Sequence, residues 1–278
     1  MPELPEVETV KSVIEKELGA ATILDVCIKN PHLRQPVPKD FRESVIKQRI
    51  VSYKRIAKYI LCFLSNSKVI VFHLGMSGTL RLEKNKLPTQ KHDHLVFETS
   101  NGYMIYNDPR RFGLCLCLDD KEIFENRLFK NLGIDPFDKN LTGTWLKKKL
   151  EKRSLAIKQA LLDQALIAGI GNIYASEALF LAGILPMRSA QTLSLKECHA
   201  LIKGIRKTLS EAIAAGGSTL KDYRQPDGRL GYFQNKHCVY GKTGQSCPGC
   251  TCFLEKTKGI QKTVQGGRSS YYCATKQR

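Results

Sequence analysis

Over residues 5–18 the apolar side chains Val7, Val10, Val13, Ile14 and Leu18 recur at helical spacing, and Gly19 follows as a stop, which predicts an amphipathic α-helix. The texture then changes to short apolar-rich runs. These predict strands over 22–28, 50–64 with a turn near 55–58, 68–72, 78–82, 94–99, 103–107 and 113–118. Ser100-Asn101-Gly102 between two of them predicts a hairpin, with Asn-Gly supplying the positive φ of a type I′ turn. A helix followed by short antiparallel strands implies a β-sandwich with flanking helices. Beyond Asp135-Pro136 the helical period returns over 141–152, 155–166, 172–182 and about 194–215, where Gly216-Gly217 ends it. Residues 217–236 form a long polar stretch, of a length that tends to carry function or motion. From 238 onward a β-ribbon is expected around a group of cysteines. The fold class is therefore α+β and multidomain, divided into 1–133, 134–216 and 217–278.

Composition narrows the partners. The 278 residues contain 42% hydrophobic positions, enough for real cores. No run approaches the roughly 18 apolar residues of a membrane span. The acidic start has no basic segment leading into an apolar one, so no secretory signal is expected, and the reading is a cytoplasmic protein. The net charge of +18 calls for a polyanionic partner. No basic amphipathic helix with bulky aromatics presents itself, which favours nucleic acid over a membrane surface.

Several short segments carry candidate chemistry. With Met1 removed, Pro2 would offer a secondary α-amine, and α-amines have pKa about 7.7–8, low enough to be partly neutral near pH 7. Attack of such an amine on an aldehyde-like carbon gives an iminium that acts as an electron sink. Glu3 beside it supplies a carboxyl group, and Pro5 suits a helix start. An ordinary Pro-initiated helix is the alternative reading. Gly169-Ile170-Gly171-Asn172 between two helical stretches is either a plain turn or a phosphate-sized nest of backbone N–H groups. Asp108-Pro109-Arg110-Arg111-Phe112-Gly113 is either a turn with Phe112 packed inward or a tip that drives an arginine and an aromatic ring into a duplex. His73-Leu74-Gly75-Met76-Ser77-Gly78 is a second Gly-bounded loop, and Met76 at such a place is usually core filler. Lys58 falls at a hairpin turn, where most lysines are solvated.

Of the ten cysteines, Cys238, Cys247, Cys250, Cys252 and Cys273 crowd into the tail, whereas Cys115 and Cys117 sit in an apolar run as small core residues. Cys247-Pro248-Gly249-Cys250 is a CxxC knuckle of the zinc-ribbon sort. A second knuckle beginning at Cys273 would need a cysteine at 276, where Lys276 stands. Three ligands do not close a structural zinc site. Cys252, Cys238 or His237 could supply the fourth, or the ribbon could hold by packing without metal. Gly266-Gly267-Arg268-Ser269-Ser270 would form the ribbon tip, with Arg268 outward.

Taken together and in order, MPELPEVET, KYIL around Lys58, HLGMSG, KHDH, NDPRRFG, IKQALLDQ with AGIGNIYASEAL, GGSTLKDY with DGRLGYFQ, VYG and GGRSS resemble the bacterial formamidopyrimidine-DNA glycosylase family across essentially the whole chain. Leu4 points to this branch rather than to the sister endonuclease VIII group, whose start typically reads MPEGPE. The resemblance implies a bifunctional glycosylase and abasic-site lyase acting on oxidised purines in double-stranded DNA, as a nucleoid-associated monomer. It implies an N-terminal catalytic sandwich, a helix-two-turn-helix DNA-binding domain, and a loop closing over the flipped base ahead of a zinc-finger-like ribbon. By position, Pro2 is the nucleophile, Glu3 the acid/base in sugar-ring opening, Lys58 the proton donor in β-elimination, and Arg268 the phosphate grip linked to δ-elimination. Met76, Arg110 and Phe112 match the residues that fill the vacated duplex. His73, Asn172 and Tyr240 match phosphate contacts, with His92 and Arg153 as further DNA-binding candidates. One zinc ion is implied, with Cys247, Cys250 and Cys273 as ligands and Lys276 in place of the family's fourth cysteine. Ile56 stands where arginine is common, a lesser departure. Two rival readings remain: a lesion-binding protein that does not cut, and an oxidised-pyrimidine glycosylase on the same fold.

Overall fold

The computed structural model describes residues 2–220, 223–250 and 254–278. They divide into two compact units, one formed by 1–130 with 213–234 and the other by 131–212 with 235–278. No helix among the described residues is long and apolar enough to cross a membrane.

The first unit opens with α1, Leu4–Leu18, whose buried positions Leu4, Val7, Val10, Ile14 and Leu18 make the expected stripe. Eight antiparallel strands follow: β1 Ile23–Ile28, β2 Ile50–Ile56, β3 Tyr59–Leu64, β4 Lys68–His73, β5 Thr79–Glu83, β6 Asp93–Thr99, β7 Gly102–Asn107 and β8 Leu114–Asp119. They form two four-stranded sheets, in the orders β1-β6-β7-β5 and β2-β3-β4-β8. Both sheets and α1 feed one core, where Ile60 and Phe72 of one sheet meet Leu80, Phe97 and Tyr106 of the other. Phe72 and Phe97 pack edge to face with ring centroids 5.7 Å apart, and a ring buried in this way is worth about 2–3 kcal/mol. β4 is buried on both faces, which explains its unbroken apolar run from Val69 to Phe72. A one-turn helix, α2 at Phe41–Val45, too short to give a periodic signal, adds Phe41 and Val45 to the same core.

The predicted hairpin forms between β6 and β7, but Thr99 pairs with Gly102, so the loop is Ser100-Asn101. Positive φ falls on Gly102 and on neither loop residue, so the turn is not type I′. Side-chain bonds hold it instead. Thr99 Oγ1 accepts from Asn101 N–H at 3.2 Å, and Asn101 Nδ2 donates to the Leu18 carbonyl at 2.8 Å.

The second unit holds α3 (Gly143–Leu150), α4 (Ile157–Leu162), α5 (Asn172–Ala182) and the larger part of α6 (Leu195–Ala214). α4 is shorter than its apolar pattern suggests because the Asp163 carboxylate accepts from Ala165 N–H at 2.9 Å and turns the chain. Gln164 then braces the connection to α5, accepting from Gly169 N–H at 2.9 Å and donating to the Ile170 carbonyl at 2.9 Å. The β-ribbon is smaller than expected. It comprises β9, Gln261–Gln265, and β10, Arg268–Tyr272, joined by Gly266-Gly267, while 238–250 run through turns.

Candidate active site and nucleic-acid interface

Pro2 and Glu3 are buried at the start of α1. Glu3 is the N-cap, and its side chain accepts from the Glu6 backbone N–H while the Glu6 carboxylate accepts from Glu3 N–H at 2.8 Å. This capping box fixes the backbone beside Pro2. The other Glu6 oxygen accepts from Ser218 N–H at 2.7 Å, fastening the 217–220 stretch over the helix start. Gly217 is required there, since a Cβ would stand 2.9 Å from that oxygen at a φ of +81°.

Lys58 sits in the β2–β3 turn beside Ala57, whose φ is +53°, and only 8% of it is exposed, against the solvated lysine usual at a turn. Arg55 connects this turn to α1: its Nε donates to Glu8 at 2.7 Å and its Nη1 to the Ala57 carbonyl at 3.2 Å. Burial raises the Glu8 pKa, but Lys11 and Arg55 outweigh it and hold the carboxyl below its usual range. His73 lies across the ladder from Tyr59, their rings 4.8 Å apart. Burial, then the charges of Arg34 and Lys58, depress its pKa from 6.5 to about 3, so the imidazole is neutral. Its Nδ1 accepts from Gly75 N–H at 3.0 Å, which leaves the proton on Nε2 as a donor.

Two loops form a clamp in this unit. Asp108, with no exposed surface, accepts from Ser77 Oγ at 2.8 Å and from Gly113 N–H at 2.8 Å. Gly75 has φ +59°, and a Cβ on it would lie 2.5 Å from the Phe112 carbonyl carbon, so only glycine lets the loops touch. The clamp turns Met76 and Phe112 outward, 39% and 48% exposed, correcting both the core-filler reading and the inward-Phe reading. The Arg110 guanidinium lies 4.7 Å above the Phe112 ring. Beside Arg110 a cavity of about 640 Å³ is lined by His92, Arg81, Lys91 and Arg224.

In the second unit, Asn172 opens α5 and its Nδ2 donates to the Ser269 carbonyl at 3.0 Å and to the Tyr240 hydroxyl at 3.3 Å. Its Oδ1 is buried without a hydrogen bond in the structure. Lys158, 1% exposed, donates to the Ser269 carbonyl at 2.7 Å and to Ser270 Oγ at 2.8 Å. Buried Glu177 of α5 accepts from the N–H groups of Cys238, Val239 and Tyr240. The ribbon tip and the Tyr240 turn are thus seated on α4 and α5, with Arg268 exposed at the first position of β10. Arg153 is engaged with Asp163 at 2.6 Å.

Sγ atoms of Cys247, Cys250 and Cys273 lie within 4.8 Å of one another, a group that could hold a metal ion. The Cys250–Cys273 separation of 3.7 Å matches the edge of a tetrahedral zinc–thiolate site, about 3.8 Å for Zn–S bonds of about 2.3 Å. Among the described residues, three corners of such a site are present. Neither Cys238 nor His237 joins the group, and burial followed by the Glu177 charge pushes the Cys238 thiol up to about 11. Cys252 lies outside the described residues.

Sequence reading missed Asp108, Lys158, Glu177 and Arg34. An Asp before Pro is a turn signal, and Asp108 could have been singled out from it. Burial of Lys158 and Glu177 has no local signal.

The fold is that of DNA-acting proteins that combine a β-sandwich with a helix-two-turn-helix module. Residues 1–115 match the formamidopyrimidine-DNA glycosylase N-terminal domain, and residues 132–224 match the H2TH domain of the same enzymes. The chain belongs to the formamidopyrimidine-DNA glycosylase family. It is 43% identical over 281 residues to formamidopyrimidine-DNA glycosylase of Rhodospirillum rubrum, covering 100% of both chains. It is 45% identical over 275 residues to that of the Wolbachia of Brugia malayi, covering 98% of each. Among solved structures, Lactococcus lactis Fpg in complex with abasic-site DNA superposes with a TM-score of 0.91 at 32% identity, covering 100% of both chains. The G226P mutant of the same protein with Fapy-dG-containing DNA gives the same values.

Proposed function

We propose that this chain is a base-excision repair enzyme, a DNA glycosylase and abasic-site lyase that removes oxidised purines such as 8-oxoguanine and formamidopyrimidines from duplex DNA. The observation that carries the reading is the buried Pro2-Glu3 pair, fixed by a capping box at the head of α1. Once Met1 is removed, the Pro2 nitrogen attacks C1′ of the damaged nucleotide and the N-glycosidic bond breaks, the electron pair leaving with the base. Glu3 gives and takes the proton that accompanies sugar-ring opening. The resulting iminium acidifies C2′; loss of that proton expels the 3′ phosphate, and a second elimination expels the 5′ phosphate. Lys58 serves as proton donor in the first elimination.

The base must leave the stack before Pro2 can reach it, at a cost of a few kcal/mol. Met76, Arg110 and Phe112, already outward on the clamp, fill the gap and offset that cost. Neutral His73 donates from Nε2 to a phosphate; Asn172, Tyr240 and Arg268 grip the backbone, with His92 and Arg153 as further contacts. The +18 charge adds sequence-independent, salt-dependent affinity. Cys247, Cys250 and Cys273 are the residues that would hold a zinc ion, and no reaction step depends on it.

The test is a duplex carrying one 8-oxoguanine opposite cytosine. The expected result is base release and a one-nucleotide gap with phosphate at both ends, abolished in Glu3→Gln. Tight binding without release would make the chain a lesion binder. Faster release of oxidised pyrimidines than of 8-oxoguanine would reassign its substrate.

A further inference from the structure

A second CxxC knuckle beginning at Cys273 would place its other cysteine at 276, where Lys276 stands. Its side chain takes up a defined place. The ammonium lies 4.5 Å above the ring of Phe180 and donates to the Pro248 carbonyl oxygen at 3.2 Å, inside the Cys247–Cys250 knuckle. Phe180 is a buried residue of α5 and packs in one cluster with Val239, Cys247, Ile260 and Cys273. Lys276 therefore joins the knuckle to the helix that seats the ribbon.

Gln277 completes the fastening. It is 1% exposed; its Oε1 accepts from Cys273 N–H at 2.8 Å and its Nε2 donates to the Ile184 carbonyl at 2.8 Å. Backbone bonds from Arg278 N–H to the Gly183 carbonyl and from Leu185 N–H to the Arg278 carbonyl extend the seam. Every one of these ties is made by protein atoms, and none passes through the thiols.

We propose that Lys276 and Gln277 perform the fastening that a fourth thiolate would perform, so that the ribbon keeps its fold without metal and the three cysteines hold a metal ion only exchangeably. A closed structural site has four protein ligands, and a site with three leaves a position open to water and to competing chelators. Lys276 is the residue that separates the two designs.

The experiment uses the full-length protein, with zinc content after EDTA dialysis and thermal melting with and without EDTA as readouts, neither of which depends on the catalytic roles of Pro2 and Lys58. In the wild type EDTA should remove whatever zinc is present and shift Tm by less than about 2 °C. Lys276→Cys should retain one zinc per chain through the same dialysis and become sensitive to stronger chelation. Lys276→Met should lower Tm by several degrees whether or not EDTA is present, and Lys276→Arg should recover most of that loss. Zinc retained by the wild type as firmly as by Lys276→Cys would overturn the proposal. A large EDTA-induced fall in wild-type Tm would do the same. Loss of an EDTA-resistant zinc in Cys252→Ser would place the fourth ligand at Cys252 and equally overturn it.

Discussion

The start of α1 and the end of the ribbon are both places where a polar constellation must be held still, and they are held differently. At α1 the carboxylates of Glu3 and Glu6 are bonded to backbone N–H groups, so the constellation is fixed by the helix itself. At the ribbon the cysteines are clustered, but the knuckle is tied by a lysine ammonium on an aromatic ring and a carbonyl. The first arrangement couples chemistry to local backbone geometry and tolerates little change. The second separates the fold from the cysteines and leaves them open to variation.

The two arrangements predict unequal sensitivities. The largest effect belongs to Pro2→Gly and Glu3→Gln, each expected to cut glycosylase turnover by at least about 10³-fold while leaving the melting temperature within a few degrees. Single-turnover kinetics beside a thermal melt checks both halves. Asp108→Ala comes next. It leaves the N–H of Gly113 and the hydroxyl of Ser77 without their buried acceptor, and should cost about 2–4 kcal/mol in urea unfolding.

His73 supplies a pH test. Its folded pKa of about 3 lies below the ordinary 6.5, so the unfolded chain binds the proton first. Stability is then full above about pH 6.5 and falls as the pH drops towards 3, by about 2 kcal/mol between 6.5 and 5. His73→Gln should flatten this part of the profile; an unchanged slope would show that other groups set it. Phe112→Ala is the smallest in stability, within about 0.5 kcal/mol, because the ring is exposed. It should still slow lesion excision about tenfold, since the wedge role proposed for Phe112 operates only when DNA is bound.

Much of this was legible in the chain. Helix α1 and the strands follow from apolar spacing and glycine stops, and GIGNIYASE together with MPELPEVET points to the family. What escaped was decided by contacts distant in sequence or by side chains overriding local preference. Asn101 reaches Leu18 and so changes the hairpin turn. Asp163 captures Ala165 N–H and ends α4 early. Phe112 points outward because Asp108 and Gly75 pin its loop from both sides. Lys58 and Lys158 are buried by elements that no local window contains.

On the proposed mechanism the Pro2 amine forms the covalent bond to the sugar. Borohydride added to wild-type protein and an 8-oxoguanine duplex should trap a protein–DNA adduct, and mass spectrometry of its N-terminal peptide should place the DNA on Pro2, with Met1 absent. An adduct on Lys58 or another lysine, or cleavage with no trappable adduct, would contradict the account.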